Sequence, residues 1–159
     1  MATKRSYWLV KSEPGVFSIQ ALRRDHQTHW EGVRNYQARN HLRSMHAGDL
    51  VLFYHSSAEP PGVAGIARVC REAYPDDTQF DAKSHYYDPD SPRDDPRWSR
   101  VDLEFVEEFP ELVALDVLKA DESLDGMLVR KRGMRLSVQP VEREHFAKVL
   151  RLGKAKTKP

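Results

Sequence analysis

Residues 75–97 hold four prolines and seven aspartates in 23 positions, with few aliphatic side chains between them. Proline removes a backbone donor and aspartate favours turns, so no regular element is expected there. The core must come from the segments on either side, joined by one long loop. Loops of this length in compact domains are usually functional or disordered. Phe80, Tyr86, Tyr87 and Trp98, within or beside it, argue for an ordered loop that packs on something.

Ahead of the loop, the apolar run Tyr7–Lys11 stops at Glu13-Pro14-Gly15, the pattern of a buried strand ending in a turn. Ser18 is placed to cap a short helix, Ile19–Arg24. Asn35–Ala47 puts Ala38, Leu42 and Met45 at helical spacing behind an N-cap asparagine, and Gly48 stands where a helix ends. Leu50–His55 and Gly62–Arg71 are rich in strand formers and joined through Pro60-Pro61. Beyond the loop, Val101, Leu103 and Phe105 alternate with acidic residues as a half-buried strand does. Leu115–Ala120 reads as a helical turn, Leu136–Gln139 as a short strand, and Glu142–Arg151 as a helix with Phe146, Val149 and Leu150 on its apolar stripe. About five short strands with helices between them, no repeat and no βαβ rhythm predict an α+β domain with a mixed, barrel-like sheet. Residues 1–152 form the expected domain and 153–159 a mobile basic tail.

The 159 residues suit one domain, and 40% hydrophobic with 31% charged residues is a globular composition. No run approaches the ~20 apolar residues of a membrane helix, and Met1–Ser6 leads straight into Tyr7-Trp8-Leu9-Val10 without a secretory pattern. A cytoplasmic monomer without a membrane partner is expected. Cys70 is the single cysteine, which excludes an internal disulfide and a multi-cysteine zinc site. The net charge of +1 hides segregation: +4 over residues 1–72, −11 over 76–125 and +8 over 126–159. Arg34, Arg39 and Arg43 from the first segment, and Lys131, Arg132 and Arg135 from the last, are candidate phosphate contacts.

The sequence carries no Gly-x-Ser-x-Gly elbow, no Walker loop and no His-Glu-x-x-His. Gly62-Val63-Ala64-Gly65 lies in a strand pattern with no helix behind it, so its small residues point to close backbone approach rather than phosphate binding. His26 and His29 have no third ligand near them in sequence; neither metal nor cofactor is expected. A different constellation remains: Lys11-Ser12-Glu13, then Trp30-Glu31-Gly32-Val33-Arg34-Asn35-Tyr36-Gln37, with Tyr86, Tyr87 and Trp98 from the loop. Rings beside amide, hydroxyl and guanidinium groups suit a flat heterocycle, stacked on its face and read along its edge. Burial of Trp30 and Tyr36 in the core accounts for the spacing equally well.

Over residues 7–150 these stretches resemble the EVE domain family: Tyr7–Pro14, Trp30–Asn40, Phe53-Tyr54-His55-Ser56, Gly62–Ala67, Pro96-Arg97-Trp98 and Arg135–Val141. The resemblance implies a PUA-like fold, a mixed β-barrel flanked by helices, similar to that of YTH and related readers. It also implies a pocket for a modified nucleobase, modified cytosine in DNA first and RNA second. Carried onto this sequence, the pocket draws on Lys11, Ser12, Trp30, Val33 and Asn35, together with Tyr36, His55, Trp98, Ser137 and Gln139. The expected partner is thus a nucleic acid carrying a modified base, bound without catalysis. Two rival readings use the same surface: a nucleotide-processing enzyme with Glu13 or His55 as general base, and a peptide-binding module.

Overall fold

The structure is a computed structural model and describes residues 4–159. Its strands are β1 (Tyr7–Ser12), β2 (Gln27–Trp30), β3 (Leu50–His55), β4 (Gly62–Pro75), β5 (Ser99–Ala114) and β6 (Val138–Val141). Its helices are α1 (Ile19–Asp25), α2 (Tyr36–Ser44), α3 (Leu115–Ala120) and α4 (Arg143–Leu152), with 3-10 turns at Asp77–Phe80, Glu122–Leu124 and Leu128–Arg130.

The strands form one mixed sheet in the order β2-β5-β4-β3-β1-β6. β1 and β3 are parallel, with Trp8 opposite Val51 and Val10 opposite Phe53; the remaining pairs are antiparallel. The α+β class is as expected. The expectation of no βαβ rhythm fails for this one parallel pair, whose crossover carries α1, β2 and α2.

The apolar run of β1 is continuous because both faces of the sheet are covered. Trp8 and Val10 point into a core with Phe53, Trp30, Ile19 and Leu22 of α1, and Ala38 and Leu42 of α2. Tyr7 and Leu9 point into a second core with Leu52, Leu118 of α3, and Phe146 and Val149 of α4. A Cβ at Gly65 would run into the Glu107 carbonyl and the Ile19 side chain, so close strand packing explains the glycine-rich segment.

Several boundaries differ from the expected ones. α2 stops at Ser44, well short of Ala47, where Met45 turns to extended backbone. β4 and β5 run on to 14 and 16 residues, bending through several shifts of register, which the alternation at Val101–Phe105 does not reveal. β2, four residues at the sheet edge, is too short to show a period. The long loop, expected to hold no regular element, carries a 3-10 turn at Asp77–Phe80, because the Asp76 side chain caps it by accepting from the Thr78 N–H. The buried Gln79 side chain ties the loop ends together: its amide donates to the Asp76 and Trp98 carbonyls and its oxygen accepts from Ser91 and the Trp98 N–H. The segment expected as a tail lies along β5, where the Lys156 and Thr157 N–H groups donate to the Glu107 carboxylate. Among the described residues no helix is long and apolar enough to cross a membrane.

Candidate functional site

Where β1 and β2 end, the chain between Trp30 and α2 turns under the long loop and leaves a cleft of about 720 Å³. That volume is in the range of small-molecule sites and has room for a whole nucleotide. Ser12, Glu13 and Phe17 form one wall, Trp30, Gly32 and Val33 a second, and Tyr86 with Ser137 complete it. Trp30 is 9% exposed and meets Phe17 and Phe53 edge-on, with centroids 6.5 and 5.6 Å away. Its indole N–H has no hydrogen-bond partner among the described residues. Gly32 sits at φ +83°, and the Tyr86 ring fills the space a Cβ would need. Only glycine allows the loop to approach that closely.

Asp76 holds this junction. Its fully buried carboxylate accepts from the Gly32 N–H at 2.8 Å, from Arg34 at 3.1 Å and from Thr78. Burial pushes the Asp76 carboxyl upward, but hydrogen bonds from Thr78, Gly32 and Arg34 outweigh it and the group titrates below its ordinary range. Arg34 also donates to the Tyr86 carbonyl at 2.8 Å and lies over the Tyr86 and Trp98 rings.

The arginines expected at phosphates are thus engaged within the protein. Arg34 is locked at Asp76, Arg39 donates to the Arg97 carbonyl and covers the Tyr36 ring, and Arg43 donates to Ser99 and to the carbonyls of Pro96 and Arg97. Together they pin the long loop to α2. Lys131, Arg132 and Arg135 are exposed and have no partner among the described residues; the first two border a second cleft of about 700 Å³.

The ten expected pocket residues divide. Lys11, Ser12, Trp30, Val33 and Ser137 line the cleft. Burial lowers the Lys11 amine, which donates to the Met134 carbonyl at 2.9 Å, and the Ser12 hydroxyl donates to the Phe17 carbonyl. Asn35 instead caps α2, its side-chain oxygen accepting from the Ala38 N–H at 2.9 Å. Tyr36 and Trp98 stack on each other with centroids 5.0 Å apart, and the Trp98 indole donates to Asp88 at 2.7 Å. Trp98 borders a neighbouring hollow beyond Arg34. His55 is buried, which lowers its pKa, and Nε2 accepts from the Ile19 N–H at 3.1 Å; that bond removes it as a candidate general base. Gln139, opposite Leu9, is on the second-core side, and its amide donates to the Leu136 carbonyl. Phe17 and Tyr86 complete the aromatic lining. Phe17 gave no sequence signal, being a single ring in a turn; Tyr86 was visible only as one of several loop aromatics.

Comparison with known proteins identifies the family. The EVE domain model matches residues 6–152. Human thymocyte nuclear protein 1 is 43% identical over 166 residues, covering 92% of this chain and 73% of that protein. The X-ray structure of a Pseudomonas putida protein superposes with a TM-score of 0.91 at 49% identity, covering 93% of this chain and 99% of the other. The crystal structure of human THYN1 protein in complex with DNA containing 5-methylcytosine superposes with a TM-score of 0.88 at 42% identity, covering 97% of this chain and 99% of that one. With the family model spanning residues 6–152 and a relative 43% identical over 92% of its length, the chain belongs to the EVE domain family.

Proposed function

We propose that this chain is a non-catalytic DNA-binding domain that reads a modified base, 5-methylcytosine or a close analogue, acting as a cytoplasmic monomer. The observation that carries the reading is the cleft itself. It joins three rings, Phe17, Trp30 and Tyr86, to the polar groups of Ser12, Glu13 and Ser137 in a space with room for an unstacked nucleotide. The relative solved with 5-methylcytosine DNA supports the choice of ligand. A base stacked in a duplex cannot reach rings as recessed as Trp30, so the target base enters unstacked. Val33 adds apolar surface for a methyl group. Lys131, Arg132 and Arg135 supply the phosphate contacts, since Arg34, Arg39 and Arg43 are committed to the loop.

The test is a binding series against DNA and RNA oligonucleotides carrying unmodified, methylated and hydroxymethylated cytosine. The samples are analysed for chemical change after overnight incubation. Saturable binding of a modified DNA strand with no product supports the reading. Conversion of the modified base would replace it with the enzyme reading, and absence of binding to every strand would remove it.

A further inference from the structure

Two carboxylates stand on the walls of the cleft, Glu13 and Glu31. Glu31 is paired with Arg100 at 3.0 Å. Glu13 is exposed and has no cation partner among the described residues; its polar contact is the Ser57 hydroxyl at 3.5 Å. The cations beside it are already engaged, Lys11 with the Met134 carbonyl and Arg34 with Asp76. The Met134 carbonyl leaves the Lys11 charge uncancelled, so the cleft offers a polyanionic ligand both that ammonium and, at Glu13, a carboxylate without an ion-pair partner among the described residues.

Repulsion from phosphates makes that charge unfavourable unless the ligand brings it a hydrogen-bond donor. An ionised carboxylate can only accept. Among the pyrimidines, cytosine carries a donor amino group at C4 where thymine carries a carbonyl oxygen. The backbone of Glu13 is held in a fixed turn at the mouth of the cleft. Its own carbonyl accepts from the N–H groups of Val16 and Phe17, both at 2.9 Å, and Phe17 is packed edge-on against Trp30.

We propose, building on the modified-base reading above, that Glu13 is the specificity residue that selects 5-methylcytosine over thymine. Its carboxylate accepts from the exocyclic amino group of the cytosine ring. Thymine in the same pose sets its O4 against the carboxylate, two acceptors with no proton between them. Because both bases carry the 5-methyl group, the rings and Val33 treat them alike, and this contact supplies the difference.

The experiment compares single-stranded oligonucleotides of one sequence with 5-methylcytosine, thymine or cytosine at one position. Affinities are measured by fluorescence anisotropy at fixed salt for the wild type and for Glu13→Gln. Glutamine keeps the size of the side chain and offers either an amide oxygen to the amino group or an amide N–H to the carbonyl. The wild type should favour 5-methylcytosine over thymine by about tenfold or more, and Glu13→Gln should abolish most of that preference by gaining affinity for thymine. The turn is held by the Glu13 backbone, so the variant should unfold at the wild-type temperature. A folded variant that keeps the wild-type ratio overturns the role of Glu13 and leaves the modified-base reading standing. A wild type that does not distinguish 5-methylcytosine from cytosine overturns that reading and this proposal with it.

Discussion

The guanidinium of Arg34 and the carboxylate of Asp76 form an ion pair at 3.1 Å, the Asp76 side chain fully buried and that of Arg34 22% exposed. It is the point at which the chain after β2 and the long loop become one body. Removing one partner leaves the other charge without compensation, so Arg34→Ala or Asp76→Asn should destabilise the domain by about 3–5 kcal/mol.

The pair also sets a pH dependence. The folded pKa of Asp76 is depressed, so its stabilisation is complete well above the ordinary carboxylate value of about 4 and is lost as pH falls through the folded pKa. Urea melts of wild type and Asp76→Asn should differ most at neutral pH and converge in acid. A gap that stays constant down to acid pH would assign the loss to packing instead.

Tyr86 meets Gly32 across the cleft without being part of either core. Base–aromatic stacking contributes about 1–3 kcal/mol, so Tyr86→Ala should weaken binding of a modified oligonucleotide about ten- to a hundredfold with little change in melting temperature. Trp30→Ala is a poorer probe, because emptying that buried site should cost about 3–5 kcal/mol of stability. A Tyr86→Ala variant with wild-type affinity would take the ring out of the site.

Charge removal should separate two groups of basic residues. Replacing Lys131, Arg132 and Arg135 by Ala should lower the slope of log affinity against log salt by about one for each phosphate the variant no longer neutralises. Arg43→Ala should leave that slope unchanged and loosen the loop at Pro96 and Arg97, seen as faster amide exchange there. A slope that falls for Arg43→Ala would make it a phosphate contact after all.

Asn35 faces its helix rather than the cleft. Asn35→Ala should cost about 1 kcal/mol in stability through removal of the cap and leave the ratio of affinities for modified and unmodified DNA as in the wild type. A changed ratio would return Asn35 to base reading.

What the sequence disclosed follows from which features are local. The run Tyr7–Val10 marked a strand buried on both faces, and Asn35 marked the start of α2, because periodicity and capping are written within a few residues. β2 was invisible, since four residues hold no period and its pairing partner Val101 lies far along the chain. The same reason hid the state of the arginines. Arg34, Arg39 and Arg43 look like free cations in sequence, yet each donates to a loop carbonyl, that of Tyr86, Pro96 or Arg97, and a carbonyl leaves no trace in residue identity. Gln139 misses the pocket because motif position does not report which face of a strand a side chain takes, and His55 misses it because its ring is buried against Phe53 and the start of α1.

The central claim is that the cleft between Trp30 and Tyr86 holds one modified base. The most direct measurement is the affinity of the purified domain for one DNA sequence with cytosine or 5-methylcytosine at a single position, at one salt concentration. A methyl group in a fitted apolar pocket contributes about 1–3 kcal/mol, so the methylated strand should bind about ten- to two-hundredfold more tightly. Equal affinity for the two strands would contradict the account.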